Sequence, residues 1–370
     1  MNKKRQVKNV IKRFLYFSLF HLRLFDLSLK ILARVRHRHP CIILLYHRIT
    51  DSGSRHHNQG RAMHHHIRHL GRGLPYLKRN YQILTIDEVI QGLQSGVGFK
   101  RPSVAITFDD GYLDNYTLAY PVLKKYGVPA TLYLTTDLIG TCQRIWTDQI
   151  EFMLLETRKN RFNLPTLFGN QELRIKTKEE KERVCNEITE VLKERPDAER
   201  REIMCELFET LEVNGKHGKH CVERIMLNWD EVRKMAKNGI TIGSHSHTHP
   251  ILSRMPVLKA KEEIFNSKKI IEEKLGIKVK HFAFPNGREE DFSEELRDYC
   301  REIGFESVAS VIYGMNEPSD GNSSVLKRIS ATAPVWMLAG ELVRLCAKGH
   351  WGRNKDLESV KQQKSGNHSS

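Results

Sequence analysis

The dominant pattern along the chain is a series of short apolar runs, each ending in polar residues. After Pro40 comes Cys41-Ile-Ile-Leu-Leu-Tyr-His47, a run without polar alternation, which predicts a strand buried on both faces as in a parallel sheet. Ser103–Phe108, Ala130–Leu134, Gly239–Ile242 and His281–Phe284 repeat the pattern, and Ser307–Val311 and Val325–Ile329 carry fainter versions of it. Helical periodicity separates these runs over roughly His65–Arg79, Asp114–Tyr126, Asp230–Lys237, Pro256–Leu275 and Ser293–Ile303. Strands alternating with helices predict a parallel sheet with helical crossovers.

Three segments depart from that rhythm. Residues 140–222 are long and charged, helical over Glu179–Leu192 and Ala198–Leu211, and show no convincing strand. They read as a helical insertion in one α/β domain spanning residues 39–350. The polar tail 351–370 reads as disordered. At the other end, residues 1–38 place Leu15, Leu19, Leu22, Phe25 and Leu29 at helical spacing between dense lysines and arginines. His21, Arg23, Asp26, Lys30 and Arg34 interrupt the apolar run, which argues against a cleavable signal and a membrane-spanning helix. The pattern suits an amphipathic helix, lying on an anionic membrane surface or docked on the domain's own core.

Composition adds a constraint. A net charge of +16 favours polyanionic partners without choosing among nucleic acid, anionic lipid and acidic glycan. No zinc-finger spacing or RNA-recognition signature accompanies it, so nucleic acid is not expected as a partner. The seven cysteines are odd in number, widely spaced and free of CxxC pairs. That usage predicts reduced thiols and a cytoplasmic domain, peripheral at the inner membrane face.

The candidate chemistry stands just past the strand ends. Asp109 and Asp110 are neighbours followed by Gly111. On a strand they would point to opposite faces, so they can share a site only where the strand ends. Two adjacent carboxylates repel unless one binds a cation, or they serve merely as turn and cap residues. His245, His247 and His249 follow another apolar run. A helical turn would group His245 with His249, and an extended backbone would group all three. Neutral imidazoles suit zinc, iron, cobalt and nickel. His56, His57, His64, His65, His66 and His69 read instead as a solvated basic face beside Arg61, Arg68 and Arg72. Trp146–Asp148 and Trp229–Asp230 read as helix-entry packing or as glycan contacts.

In order, Thr107-Phe-Asp-Asp-Gly-Tyr112, Gly243-Ser-His-Ser-His-Thr-His-Pro-Ile-Leu-Ser253 and Phe282-Ala-Phe-Pro-Asn-Gly287 resemble successive motifs of the polysaccharide deacetylase family. Leu45-Tyr-His-Arg-Ile49 and Tyr120–Thr131 match as well, so the resemblance covers roughly His39–Ile329 outside the insertion. It implies a distorted (β/α) barrel of about seven parallel strands and one divalent metal ion, zinc ahead of nickel, cobalt or iron. It makes Asp110, His245 and His249 the metal ligands and Asp109 the general base. It also suggests an oxyanion contact from the Tyr112 N–H and a supporting role for Ser246, with His247 outside the ligand set.

Two departures from the family pattern stand out. The arginine that some members place before Phe-x-Pro is replaced by Lys278 and Lys280, and no histidine follows Val325–Ile329 to act as general acid. His47, at the end of the first strand, is the alternative acid, and Arg328 the alternative group to orient Asp109. The Tyr-His-Arg-Ile variant resembles the branch acting on N-acetylglucosamine exopolysaccharides. The expected function is removal of N-acetyl groups from an N-acetylhexosamine polysaccharide or a lipid-linked sugar. An amidohydrolase acting on a non-sugar C–N bond and a catalytically inactive carbohydrate-binding relic are the competing readings.

Overall fold

The computed structural model describes residues 3–35, 38–51, 64–213, 224–318, 325–331 and 334–348, with side chains from residue 10 onward. The tail 351–370, His56 and His57 lie outside these residues. Seven strands build the centre: β1 (Cys41–Tyr46), β2 (Ser103–Phe108), β3 (Ala130–Leu134), β4 (Ile240–Ser244), β5 (His281–Ala283), β6 (Ser307–Ala309) and β7 (Arg328–Ser330). All neighbours are parallel, in the order β6-β5-β4-β3-β2-β1-β7. The two ends meet at an Ala309–Leu326 bridge, where the Leu326 N–H donates to the Val308 carbonyl at 2.8 Å. The result is the expected distorted, nearly closed barrel of seven parallel strands.

Because every strand runs the same way, all their C-terminal ends gather on one rim. That rim carries His47, Asp109, Asp110 and His245. β1, β2 and β3 are buried at every position, which explains their unbroken apolar sequence. One extra short strand, Gln82–Leu84, pairs with the first half of β2. β7 begins at Arg328, later than the apolar run suggested, because the chain at Leu326 serves β6 as a bridge first.

In the insertion, Ile150 and Met153 of helix Trp146–Glu156 meet Val184, Ile188 and Leu192 of helix Lys178–Lys193 and Ile203 and Leu207 of helix Asp197–Thr210, in an apolar cluster that continues into Tyr112, Leu138 and Ile251 at the barrel rim. A capping box of Thr177 and Glu180 starts the second of these helices. Contrary to the expectation of no strands, Arg161–Asn163 pairs antiparallel with Glu172–Arg174. Each of these strands buries a single residue, Phe162 or Leu173, which is too short a pattern to register as a period.

Three further expectations are corrected. The N-terminal segment is two helices, Lys3–His21 and Leu24–Val35, with the chain reversing through Arg23 in the left-handed region (φ 56°). The histidine-rich stretch is not a uniformly solvated face. His64–His66 is a strand paired with Arg48–Thr50, and His65 is 2% exposed beside the Tyr46 ring. Burial pushes its pKa down to about 3. Third, the thiols are not all reduced, since Cys142 is disulfide-bonded, while Cys41, Cys185, Cys205, Cys300 and Cys346 form no disulfide. Counting cysteines could not reveal a bridge at Cys142 among several buried thiols outside any disulfide.

Candidate active site

Asp109 and Asp110 leave β2 at a sharp bend. Asp110 takes φ 78° and Gly111 φ 87°. A Cβ on Gly111 would lie 2.9 Å from Ile139 and 3.0 Å from Leu134, so glycine is required both for its conformation and for its size. The bend lets both carboxylates face the barrel mouth, where each is 1% exposed.

The two carboxylates have different partners. Arg328 grips Asp109 through two parallel bonds of 2.7 Å, one to each carboxylate oxygen. The same guanidinium donates to the Ser310 carbonyl at 2.7 Å and to Thr107 Oγ1 at 3.3 Å, and lies over the Tyr133 ring. Burial raises the pKa of Asp109, and the charge and hydrogen bonds of Arg328 together with the His245 and His47 rings more than reverse this, so the carboxyl stays below its ordinary value. Asp109 is therefore an ionised carboxylate held in one orientation.

Asp110 faces the histidines. Its Oδ1 lies 3.3 Å from Nε2 of His245 and 3.3 Å from Nε2 of His249, and it is buried without a hydrogen-bond partner. Ligand atoms from the three residues lie within 4.8 Å of one another. Tetrahedral donors about 2.1 Å from an ion stand about 3.4 Å apart, close to the spacing at Asp110. Nδ1 of His245 lies 2.7 Å from the Ala283 carbonyl, so it carries the proton and leaves Nε2 as a lone-pair donor. One carboxylate and two imidazoles of this geometry fit a single divalent cation.

The histidine loop is neither a helical turn nor an extended strand. Ser246 and His249 both adopt positive φ of 65°. Ser246 Oγ accepts from the His249 N–H at 3.1 Å. Glu263, which sequence reasoning missed, caps the loop from outside by accepting from the N–H groups of His247 (3.0 Å) and Thr248 (2.7 Å) and from the Thr248 hydroxyl (2.8 Å). His247 turns away from the cluster, with Nδ1 2.9 Å from Thr136 Oγ1.

His47 lines the same cavity as Asp109 and Asp110. Burial pulls its pKa below the ordinary imidazole value, against Asp110 and Asp109, and its Nδ1 has no hydrogen-bond partner. Its backbone is held by residues that the motif reading passed over. Asn115 donates to the His47 carbonyl at 2.7 Å, and Asp114 accepts from Arg48 Nε (2.8 Å) and the Ile49 N–H (2.9 Å). Both follow the Asp109–Tyr112 motif closely enough to have been found as part of it. The Tyr112 backbone pairs with Met226 in a non-hydrogen-bonded register, so its N–H points away from that neighbour. Its hydroxyl donates to Asp148 at 2.8 Å.

The cavity over this cluster measures about 580 Å³ and extends to the insertion. Trp146, Leu154 and Leu155 form an apolar part of its wall, and Lys178, Lys181 and Asn186 of the neighbouring helix line it as well. Trp229 does not line it and packs against the barrel core. Two ion pairs hold the insertion over the rim: Arg288–Glu190 at 2.6 Å and Arg254–Glu194 at 2.5 Å.

Residues 96–195 and 207–308 match the profile named polysaccharide deacetylase. The polysaccharide deacetylase homologue YxkH of Bacillus subtilis is 39% identical over 115 residues, which is 30% of this chain and 37% of that protein. The poly-β-1,6-N-acetyl-D-glucosamine N-deacetylase of Staphylococcus epidermidis is 45% identical over 60 residues, 16% of this chain and 20% of that one. Both matches thus span well under half of the relative's length. The solved Streptococcus pyogenes deacetylase PplD shares the fold with a TM-score of 0.54 at 18% identity, over 83% of this chain and 98% of its own. With more than half of its residues matched by that profile, the chain belongs to the polysaccharide deacetylase family.

Proposed function

We propose that the protein removes N-acetyl groups from an N-acetylhexosamine glycan, using one divalent cation held by Asp110, His245 and His249. The observation that carries this reading is the division of labour between adjacent carboxylates, one clamped by Arg328 and the other facing two imidazoles. A bound divalent cation would polarise the acetamide carbonyl and acidify water towards neutral pH. Asp109 takes the proton from the attacking water, and its fork with Arg328 fixes the direction of that transfer. The Tyr112 N–H donates to the oxygen that gains negative charge. His47 gives a proton to the departing sugar amine as the C–N bond breaks, leaving acetate and a free amine.

The similarity to a poly-β-1,6-N-acetyl-D-glucosamine N-deacetylase supports an N-acetylglucosamine polymer as the substrate class. The apolar wall of Trp146, Leu154 and Leu155 favours a second reading, in which the sugar is lipid-linked. The test is acetate release from an N-acetylglucosamine oligomer by wild type and Asp109→Asn, with and without a chelator. Release that disappears in the variant and in the chelated sample is expected. No release by metal-loaded wild type would turn the assignment to a non-sugar amide or to a binding role.

A further inference from the structure

The N-terminal helices carry an apolar surface that the fold leaves bare. Among the described residues, ten of the seventeen exposed large hydrophobic side chains lie between Val10 and Val35. Such residues scattered singly need no explanation, whereas a contiguous cluster marks an interaction site. On helix Leu24–Val35 the exposed Leu24, Leu27, Ile31 and Val35 follow the i, i+3, i+7, i+11 spacing of one face. On helix Lys3–His21, Val10 and Phe14 lie one turn apart on one face, at 66% and 74% exposure.

The opposite faces are already occupied. Phe25 and Leu29 are buried in the main core, with Tyr16, Leu19, Phe20 and Leu32 packed beside them. Tyr16 lies against Gly340 of helix Val335–Lys348, where a Cβ would come within 2.2 Å of its ring. Asp26 pairs with Arg79 at 3.0 Å, and Phe17 meets Trp336 edge-on at 5.9 Å. The hairpin is thus fastened to the barrel by one side and presents the other outward in a fixed orientation.

Charge selects the occupant. Residues 3–35 contain nine lysines and arginines and one acid, Asp26, which is committed to Arg79. Arg13, Arg23, Lys30 and Arg34 flank the bare apolar stripes in sequence. Neither helix is long and apolar enough to cross a membrane. An apolar stripe bordered by cations is the composition of a helix that lies in the headgroup region of an anionic bilayer.

We infer that the helical hairpin Lys3–Val35 docks the protein on an anionic lipid surface, with Phe14, Leu27 and Ile31 inserted among the acyl chains. The enzyme would then work on glycan held close to the membrane. The inference stands on the hairpin alone and does not depend on the deacetylase reading.

The test uses the full chain in co-sedimentation with phosphatidylglycerol/phosphatidylethanolamine vesicles and with phosphatidylcholine vesicles. Wild type should partition at least tenfold more strongly onto the anionic vesicles. Phe14→Glu/Leu27→Glu/Ile31→Glu, all at exposed positions, should lose that binding tenfold or more while keeping the wild-type melting temperature. Arg13→Glu/Lys30→Glu should lose it in a salt-sensitive manner. No binding by wild type, or equal binding by the triple variant, would overturn the inference. So would a lipid-free dimer of wild type that the triple variant dissolves, because a second copy of the chain would then cover the face.

Discussion

Arg328 and Asp109, 219 positions apart in sequence, form a two-bond ion pair at 2.7 Å inside the barrel, with the arginine side chain 0% and the aspartate 1% exposed. A buried pair of this kind is costly to break from one side, because the remaining charge is left in a low-dielectric interior. Arg328→Met should therefore lower stability by about 3–5 kcal/mol. Arg328→Met/Asp109→Asn should recover much of that loss without recovering activity. Denaturant unfolding of the three proteins checks this, and a single variant as stable as wild type would show that the pair is not energetically coupled.

Metal content should follow the geometry of the histidine loop. Asp110→Asn, His245→Ala and His249→Ala should each lose the equimolar metal that elemental analysis is expected to find in wild type. His247→Ala should keep it, because that ring faces Thr136 and not Asp110. Glu263→Gln loosens the loop from outside and should weaken metal affinity by about 10–100-fold, the usual range for groups that orient ligands. Retention of metal by the His245 variant, or its loss from the His247 variant, would redraw the site.

His47→Asn should leave metal content unchanged and lower kcat on an N-acetyl substrate by about 10²–10⁴-fold, as for loss of a general acid. The loss should be much smaller on an aryl acetate ester, whose leaving group departs without a proton. An equal loss on both substrates would make His47 a binding residue. Because burial lowers its pKa, the protonated form is scarcer at neutral pH than for an exposed histidine, so wild-type activity should fall as pH rises through the neutral range.

Much of this site was legible in the sequence because its chemistry sits at the ends of long apolar strands. Runs such as Ile42–Tyr46 and Val104–Phe108 identify themselves by composition, and in a parallel barrel the next residues share a rim. Arg328 was recognisable only as a substitute for an absent arginine, and its contact with Asp109 depends on barrel closure. Glu263 was not legible, since a glutamate inside a charged helix looks solvated until the helix packs under the histidine loop. His65 misled for the same reason in reverse. Its charged neighbours suggested a wet face, yet pairing between Arg48–Thr50 and His64–His66 turns that one ring inward. Pairing of Cys142 was equally invisible, because a disulfide depends on distance and not on spacing along the chain.

The insertion should prove to be part of the substrate groove, held there by charge. Glu190 and Glu194 lie one helical turn apart and reach two different barrel loops, through Arg288 and Arg254. Both pairs are partly exposed, so each should contribute no more than about 1 kcal/mol to stability. Glu190→Gln/Glu194→Gln should thus melt only slightly earlier than wild type, yet show a raised KM for long oligomers as the wall bearing Lys178 and Lys181 loosens. The pH dependence has a definite sign. Burial raises the pKa of Glu190, but Arg288 and Lys193 bring it below its ordinary value. The Glu190 pair therefore contributes fully above the unfolded value of about 4.3 and is lost as pH falls through the lower folded value. Protection of helix Lys178–Lys193 from proteolysis should differ between wild type and double variant at pH 6, and this difference should shrink below about pH 4. A difference that persists unchanged in acid would mean that packing, and not these carboxylates, holds the insertion over the site.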